Sequence, residues 1–305
     1  MANKSPRRRL SEDERAERRR ADRERLQRSA EQLLSSDGWQ RWVRVRSRAG
    51  LARLSLSNQL LVALACPDAT FVAGFKAWLG LGYCVKKGER AIAIIAPLPL
   101  KERDRLSGEE TGETRLLFKS VFVFDRAQVD PIKGVEQAPL EPPAQPLTGD
   151  SHAHLLSPLR AFTESLGFNV SFRPISGATG GWCDQKNRRI VVDSAQPTNA
   201  QLRILTHESI HALGVDYQQY TRSQAEVIVD TTTLIVLSAV GLDTSGETVP
   251  YVAGWGETGA LQAVTEFAQL IDTLARRVEN AITHSEHNNE TLGNTAEQPL
   301  QETCI

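Results

Sequence analysis

The sequence predicts an α+β protein of two domains, and three observations carry this prediction. Apolar residues recur at helical spacing from Trp39 to Leu64 and from Thr258 to Ile282. Residues 116–124 (LLFKSVFVF) have the β-branched and aromatic composition of a strand. Residues 133–152 contain four prolines without periodicity, which is typical of a linker, and a chain of 305 residues leaves room for a domain on each side of it.

The composition divides the chain into five segments. Residues 1–30 are densely charged and nearly free of apolar side chains, so we expect a tail that is disordered or forms a solvated helix. Residues 31–132 are expected to form a basic α/β domain, joined by the Pro-rich linker 133–152 to a second α+β domain over 153–283. Residues 284–305 are polar, and we expect a flexible tail there.

The N-terminal domain should contain a β-hairpin. Ala91–Ala96 forms an apolar run that pairs naturally with the strand at 116–124, and the charged residues Lys101–Thr114 are expected to form the loop between them. Before the hairpin, Phe71–Leu81 has the pattern of a short helix after a strand-like start.

The second domain should alternate helices with short strands. Glycines end three of the expected helices, because a glycine readily takes the left-handed conformation that closes a helix. In chain order we expect a helix at Leu155–Leu166, strands at Val170–Pro174 and Arg189–Val192, and helices at Asn199–Leu213, Ser223–Val240 and Thr258–Ile282.

Charge is divided unevenly along the chain. Residues 1–133 hold 27 Lys/Arg and 17 Asp/Glu, a balance of +10, whereas residues 134–305 hold 9 and 20, a balance of −11. A basic domain attracts polyanions through its summed field. The alternative is that the two halves simply complement each other's charge.

We expect a cytoplasmic protein. The sequence has no apolar run of 18 residues that would predict a membrane span, and its charged N-terminus does not resemble a secretory signal. The four cysteines are scattered and form no CxxC pair, which is typical of a reducing compartment and disfavours a cysteine–zinc cluster.

The sequence Thr206-His207-Glu208-Ser209-Ile210-His211 contains an HExxH motif. On a helix, His207 and His211 lie on one face a turn apart, so both imidazoles can reach one zinc ion. Glu208 is then placed as a general base beside the metal without ligating it. The pattern predicts a catalytic Zn²⁺ site in a zincin-like metallopeptidase domain; a structural zinc is the alternative.

A catalytic zinc site needs a third protein ligand, which we expect from the following helix. Glu226 and Asp230 are four residues apart, share a face, and lie in an otherwise apolar segment where a buried acid needs a partner. We assign Glu226 as the ligand and Asp230 as an acceptor for a ligand imidazole N–H; the opposite assignment is the alternative.

Two further features suit a peptide substrate. Residues 188–193 could form an edge strand that binds an extended peptide by strand addition, with a core strand as the equal alternative. Tyr217 and Tyr220 lie between the two metal-bearing helices, where either could donate a hydrogen bond to an oxyanion. Surface tyrosine is the alternative for both.

The basic N-terminal domain is expected to bind single-stranded DNA through a positively charged groove with aromatic platforms. Arginines cluster in the first apolar helix without an acid among them, and lysines flank a turn at Gly88. The candidate contacts are Arg41, Arg44, Arg46, Arg48, Asn58, Lys86, Lys87 and Arg90. The candidate aromatics are Trp39, Trp42, Phe75, Trp78 and Tyr83, most of which could instead be core.

Several motifs together carry a family resemblance. Leu54–Leu61 (LSLSNQLL), Pro67–Phe75 (PDATFVAGF) and Val85–Ile92 (VKKGERAI) resemble the N-terminal domain of ArdC-type antirestriction proteins, which are found on conjugative plasmids. The HExxH segment with Glu226 and Asp230 resembles the family's C-terminal half, which is similar to the ImmA/IrrE metallopeptidases. Residues 241–245 and 250–255 also resemble the family.

The resemblance implies a domain that binds single-stranded DNA, a zinc-peptidase-like domain, and protection of incoming DNA from host restriction. One departure is Leu54, where relatives often carry an aromatic residue. Two rival functions stay open: a DNA-coating protein whose zinc site is structural or vestigial, and a regulatory peptidase that cleaves a repressor. The peptide substrate, the coupling of the two sites and the oligomeric state are not indicated by the sequence.

Overall fold

The computed structural model describes residues 11–103, 110–138, 140, 147–177, 179–243 and 260–292. Helices and strands are mixed, which confirms the predicted α+β class. The helices are α1 (Glu12–Glu31), α2 (Ser36–Arg46), α3 (Ala49–Ala52), α4 (Leu56–Ala65), α5 (Phe75–Gly80), α6 (Leu156–Ser165), α7 (Thr198–Ala212), α8 (Arg222–Ala239) and α9 (Ala260–Leu292). The strands are β1 (Val72–Ala73), β2 (Tyr83–Val85), β3 (Ile92–Arg103), β4 (Glu110–Asp125), β5 (Val129–Pro131), β6 (Asn169–Arg173), β7 (Gly181–Asp184) and β8 (Arg189–Asp193).

The chain divides into two compact units. The first contains residues 1–141 and 253–265, and the second contains residues 142–252 and 266–305. The first break falls inside the Pro-rich segment 133–152. The resembling residues 244–245 and 250–255, Arg7–Arg9 of the N-terminal tail, and much of the segment 284–305 lie outside the described residues.

The first unit is built on a long antiparallel hairpin of β3 and β4. Its sheet has the order β1-β4-β3, and a separate two-stranded sheet pairs β2 with β5. The register runs without a shift from Ile92↔Val123 to Lys101↔Thr114. The segment Lys101–Thr114, which we expected to be a loop, therefore contains the ends of both strands. Charged residues are frequent there, but the main-chain pairing of the two strands continues in register.

Two apolar cores stabilise the first unit. Val45, Val62 and Ile94 belong to a core that packs α2 and α4 on one face of the β3–β4 sheet. Trp78, Tyr83 and Val129 form a second core with α5, β2 and β5. Trp39, Trp42 and Trp78 are fully buried, so these candidate DNA platforms are core residues.

Residues 12–31 form helix α1, which corresponds to the solvated-helix alternative for this part of the N-terminal tail. Ser11 begins the helix with a capping box in which its side chain accepts from Glu14 N–H and Glu14 accepts from Ser11 N–H. Most of its side chains are exposed, as in a solvated helix. Its C-terminal half packs against α4, and Ser29 is buried there.

The second unit contains a three-stranded sheet with the order β6-β8-β7. β8 pairs parallel with β6 and antiparallel with β7. β8 is therefore the central strand, so of the two alternatives for residues 188–193 the core strand is observed and not the edge strand. Ile190, Val191 and Val192 are buried, because a central strand is covered on both of its faces.

Helix α7 packs between α6, α8 and this sheet. In α9, apolar residues at intervals of three and four from Ala268 to Ile282 are buried, which explains its helical periodicity. Among the described residues, no helix is long and apolar enough to cross a membrane.

Candidate metal centre

Three side chains from two helices converge in the second unit. His207 and His211 lie one turn apart on α7, with ring centroids separated by 5.1 Å. Glu226 comes from the first turns of α8, which packs against α7. One ligand atom from each of these three residues lies within 4.8 Å of the other two, so the group could hold a metal ion.

Each imidazole is oriented by a partner at its Nδ1. His211 Nδ1 lies 2.7 Å from the Val215 carbonyl oxygen, and His207 Nδ1 lies 3.1 Å from Asp230 Oδ1. These partners hold the proton on Nδ1 and leave Nε2 free to ligate. Asp230 therefore has the geometry expected of an acceptor behind a ligand, and Glu226 has the geometry expected of the ligand.

The turn after α7 supplies the partner of His211. Gly214 has a φ of +105°, which a residue with a side chain rarely adopts, and it reverses the chain directly after the helix. Val215 is buried beneath the site as a result. Its carbonyl was missed in the sequence because any residue type carries one; the glycine at the helix end was the available signal.

The surroundings shift the pKa values of the two histidines in opposite directions. Burial and the neighbouring His207 lower the pKa of His211, against the opposing effect of the Val215 carbonyl, so His211 is neutral at pH 7. For His207, burial alone would lower the pKa, but the hydrogen bond with Asp230 and the charges of Glu208 and Glu226 raise it above its usual value. A metal ion would compete with the proton for either ring.

Glu208 lies beside the ligands and is buried. Loss of hydration on burial, reinforced by the charge of Glu226 and opposed by His207, raises the pKa of Glu208 to about 7. A carboxyl group with a pKa near neutrality can both accept and return a proton at the working pH. Glu208 thus has the environment of a general acid–base.

Tyr217 contacts the candidate third ligand. Its hydroxyl donates to Glu226 Oε1 over 2.5 Å, while its ring lies 5.8 Å from that of His211. Burial and this hydrogen bond raise the pKa of Tyr217 to about 12, so the phenol keeps its proton. Tyr220 instead packs against Phe267, with 6.1 Å between the ring centroids.

Strand β7 forms a wall of the site. A Cβ at Gly181 would lie 2.4 Å from Ile204 Cγ2 and 2.8 Å from the Val191 oxygen, so only glycine allows α7 to approach the sheet this closely. The same Cβ position is 3.7 Å from Glu208 Cγ. β7 is an edge strand of its sheet, which places an edge beside the candidate general base.

The donor set fits a zinc ion. Two imidazoles and one carboxylate leave one coordination position open, as in catalytic zinc sites, and imidazole nitrogen is a preferred zinc donor. Among the described residues no cysteine belongs to this group, and burial together with the charge of Glu208 raises the pKa of the nearby Cys183 to about 12.

Two of the residues predicted to contact DNA have structural roles. Arg46 is fully buried on the face of α2 that carries Trp39, Trp42 and Val43, so it is not available to DNA. Asn58 is also buried, and its amide donates to the Ile95 carbonyl and accepts from the Ile95 N–H. This pair of hydrogen bonds provides partners for the main-chain N–H and C=O of Ile95 at the outer edge of β3.

The other predicted DNA contacts lie at the surface. Arg41 forms an ion pair with Asp37, Arg44 lies 3.3 Å from Asp68, and Lys86 donates to the Ala127 carbonyl. Arg48, Lys87 and Arg90 are exposed. These residues come from different elements of the first unit.

Comparison with known proteins finds one family over part of the chain. Residues 27–124 match the N-terminal domain of anti-restriction factor ArdC. This segment includes β3 and all of β4 except its last residue, and it ends before the metal cluster begins. No curated protein matches the chain significantly.

Two solved structures of one protein are similar to the chain. The metal-free crystal structure of antirestriction ArdC protein from plasmid R388 has 16% identity and a TM-score of 0.42, covering 77% of this chain and 85% of that one. Its Mn(II)-bound structure has 16% identity and a TM-score of 0.40, covering 76% and 87%.

Proposed function

We propose that this chain is an antirestriction protein that combines a DNA-binding first unit with a zinc-dependent peptidase second unit. The observation that carries the peptidase proposal is the grouping of His207, His211 and Glu226 within 4.8 Å of one another, beside the buried Glu208. Three ligands, an open position and an adjacent acid–base are what metal-assisted hydrolysis requires.

The family match supports the antirestriction role and the nature of the first unit. Residues 27–124 match a domain named for anti-restriction factor ArdC, and they lie within a region whose charge balance is +10. Because a basic surface favours polyanions, we propose single-stranded DNA as its partner. Action on incoming DNA would take place in the cytoplasm.

Zinc, when bound, would supply Lewis acidity and would lower the pKa of a water molecule to about 7. Residues of the chain do the remaining work. His207 and His211 would bind through Nε2, with Asp230 and the Val215 carbonyl fixing their ring orientation. Glu208 would take the proton of the attacking water and return it to the leaving amine.

Two features favour a peptide carbonyl as the group attacked. The edge strand β7 lies beside Glu208, and a free strand edge can bind an extended peptide through main-chain hydrogen bonds. The Tyr217 hydroxyl keeps its proton and donates a hydrogen bond to Glu226, and it could shift this hydrogen bond to a developing oxyanion once Glu226 ligates the metal. Of the two rival functions, a DNA-coating protein would use the first unit alone, and a repressor-cleaving peptidase would use the second unit alone.

The decisive experiment separates catalysis from coating. Wild type and Glu208→Gln are compared for zinc content, affinity for a single-stranded oligonucleotide, and protection of transferred DNA from restriction in cells. Glu164→Gln, the same change on the exposed surface of α6, is the matched control. We expect Glu208→Gln to keep about one zinc per chain and its DNA affinity but to lose protection.

Full protection by Glu208→Gln would reject the catalytic role and leave a DNA-coating protein. The assay includes Mn²⁺, because a carboxylate ligand also suits that ion. Absence of zinc and of other divalent metals from wild type would reject the metal centre itself.

A further inference from the structure

One face of strand β4 carries exposed aromatic side chains. Successive residues of a strand point to opposite faces, and the register of β3 with β4 is continuous here, so Phe118, Ser120, Phe122 and Phe124 share one face. Val121 and Val123 point to the other face, where the core lies. Phe118 is 67% exposed and Phe122 is 53% exposed, although large aromatic residues usually contribute to cores.

Helix α5 covers only the end of this aromatic face. The Trp78 indole of α5 donates to the Phe124 carbonyl, and Phe124 packs into the second core. β1 pairs Ala73 with Phe124 and ends there, and α5 begins at Phe75, so neither element covers Phe118 or Phe122. These two exposed phenylalanines of β4 are what we call the aromatic strip.

A basic helix borders the aromatic strip. Ser120, between Phe118 and Phe122, donates to Asp22 of α1 and accepts from Arg25 of the same helix. Residues 18–28 of α1 contain six arginines against two acids. Arg18 and Arg19 are exposed and lie one turn before Asp22, on the side of α1 that faces Ser120.

We propose that this surface is where single-stranded DNA binds, with bases stacked on Phe118 and Phe122 and phosphates held by Arg18 and Arg19. The inference rests on the proposed DNA-binding function and assigns it a site. The two phenylalanines are four residues apart, about 13 Å along the strand, so each offers its own stacking platform. Exposed rings beside clustered arginines are the two components that single-strand binding uses.

This assignment moves the DNA contact away from the arginines of α2. Arg46 is buried, and Arg41 and Arg44 already form ion pairs with Asp37 and Asp68. Acids at those positions would compete with phosphate for the same guanidinium groups. Beside the aromatic strip, by contrast, Asp22 already contacts Arg25 and accepts from Ser120.

The test measures binding of a fluorescent oligothymidine to the full chain over a range of salt concentrations. We expect Phe118→Ala and Phe122→Ala each to weaken binding by about 5- to 150-fold, with an unchanged salt slope, because stacking releases no counterions. Phe118→Tyr and Phe122→Tyr, which keep the ring, should retain affinity. Arg18→Ala and Arg19→Ala should each reduce the salt slope by about 0.7, while Arg20→Ala, on the opposite side of α1, should not.

The outcomes separate this inference from the proposed function. If Phe118→Ala and Phe122→Ala bind the oligonucleotide as tightly as wild type, the aromatic strip is rejected as the site, but DNA binding by the protein is not. A change from dimer to monomer in those variants, with DNA affinity intact, would overturn it in favour of contact with a second copy. Wild type without salt-sensitive binding would reject the proposed DNA function and this site together. Circular dichroism establishes that each variant is folded.

Discussion

Asp230 holds the imidazole of His207 from behind: its Oδ1 lies 3.1 Å from His207 Nδ1, while His207 Nε2 lies 3.7 Å from Glu226 Oε2. The two acids of α8 thus serve opposite nitrogens of one ring. This arrangement follows from their spacing, because residues four apart on a helix are stacked one turn above the other.

Asp230→Ala is expected to weaken metal affinity by about 10- to 100-fold without abolishing it, because the ring of His207 loses its orienting partner but no ligand is removed. Glu226→Ala should cost more, since it removes a ligand. Isothermal titration of zinc into chelator-treated protein measures both, with Asp150→Ala, an exposed acid, as control. If Asp230→Ala abolished binding and Glu226→Ala did not, their roles would be exchanged.

Glu208→Gln is expected to stabilise the metal-free protein at pH 8 and to have little effect at pH 4. The folded state raises the pKa of Glu208 from 4.5 to about 7, so the folded protein binds the proton more tightly than the unfolded chain does. That contribution to stability, roughly 3 kcal/mol, is fully present below pH 4.5 and is lost as the pH rises through about 7. Urea denaturation with chelator at the two pH values measures the difference. Equal effects of the substitution at both pH values would contradict the raised pKa.

Asn58→Ala is expected to destabilise the first unit by about 1–3 kcal/mol, because the N–H and C=O of Ile95 lose their partner at the edge of β3. Lys87→Ala, an exposed change, should leave stability within about 0.5 kcal/mol. Thermal denaturation compares them. Under conditions where Asn58→Ala is folded, its DNA affinity should equal that of wild type; a stable variant with weak binding would restore Asn58 as a DNA contact.

Gly181→Ala is expected to destabilise the second unit by about 1–3 kcal/mol and to lower metal affinity, because the added methyl group would meet Ile204 and the Val191 oxygen and push α7 from the sheet. Gly80→Ala tests the same change where nothing lies within 4 Å of the added Cβ. Calorimetry and zinc titration provide the two readouts. A Gly181→Ala protein with wild-type stability would show that α7 moves at little cost.

The sequence by itself determined the α+β class, the helices that carry the candidate metal ligands, the shared face of His207 and His211, and the pair Glu226 and Asp230 from which the third ligand would come. These features depend on local spacing: the HExxH interval and the Glu226–Asp230 interval each repeat once per helical turn, so the face they share is set before any tertiary contact forms. The alternation of β3 and β4 is local in the same way, although charged residues hid its full length.

Only the tertiary structure decided which residues are covered. Arg46 and Asn58 carry the polar chemistry expected of a DNA contact, yet one is buried in the helix packing and the other completes a strand edge. Conversely, Phe118 and Phe122 lie in a segment with the composition of a core strand, but helix α5 packs on this face of β4 only at Phe124 and leaves them exposed. The central position of β8, the Val215 carbonyl behind His211 and the close approach at Gly181 are likewise products of long-range packing, because they depend on which elements meet rather than on the residue types within one element.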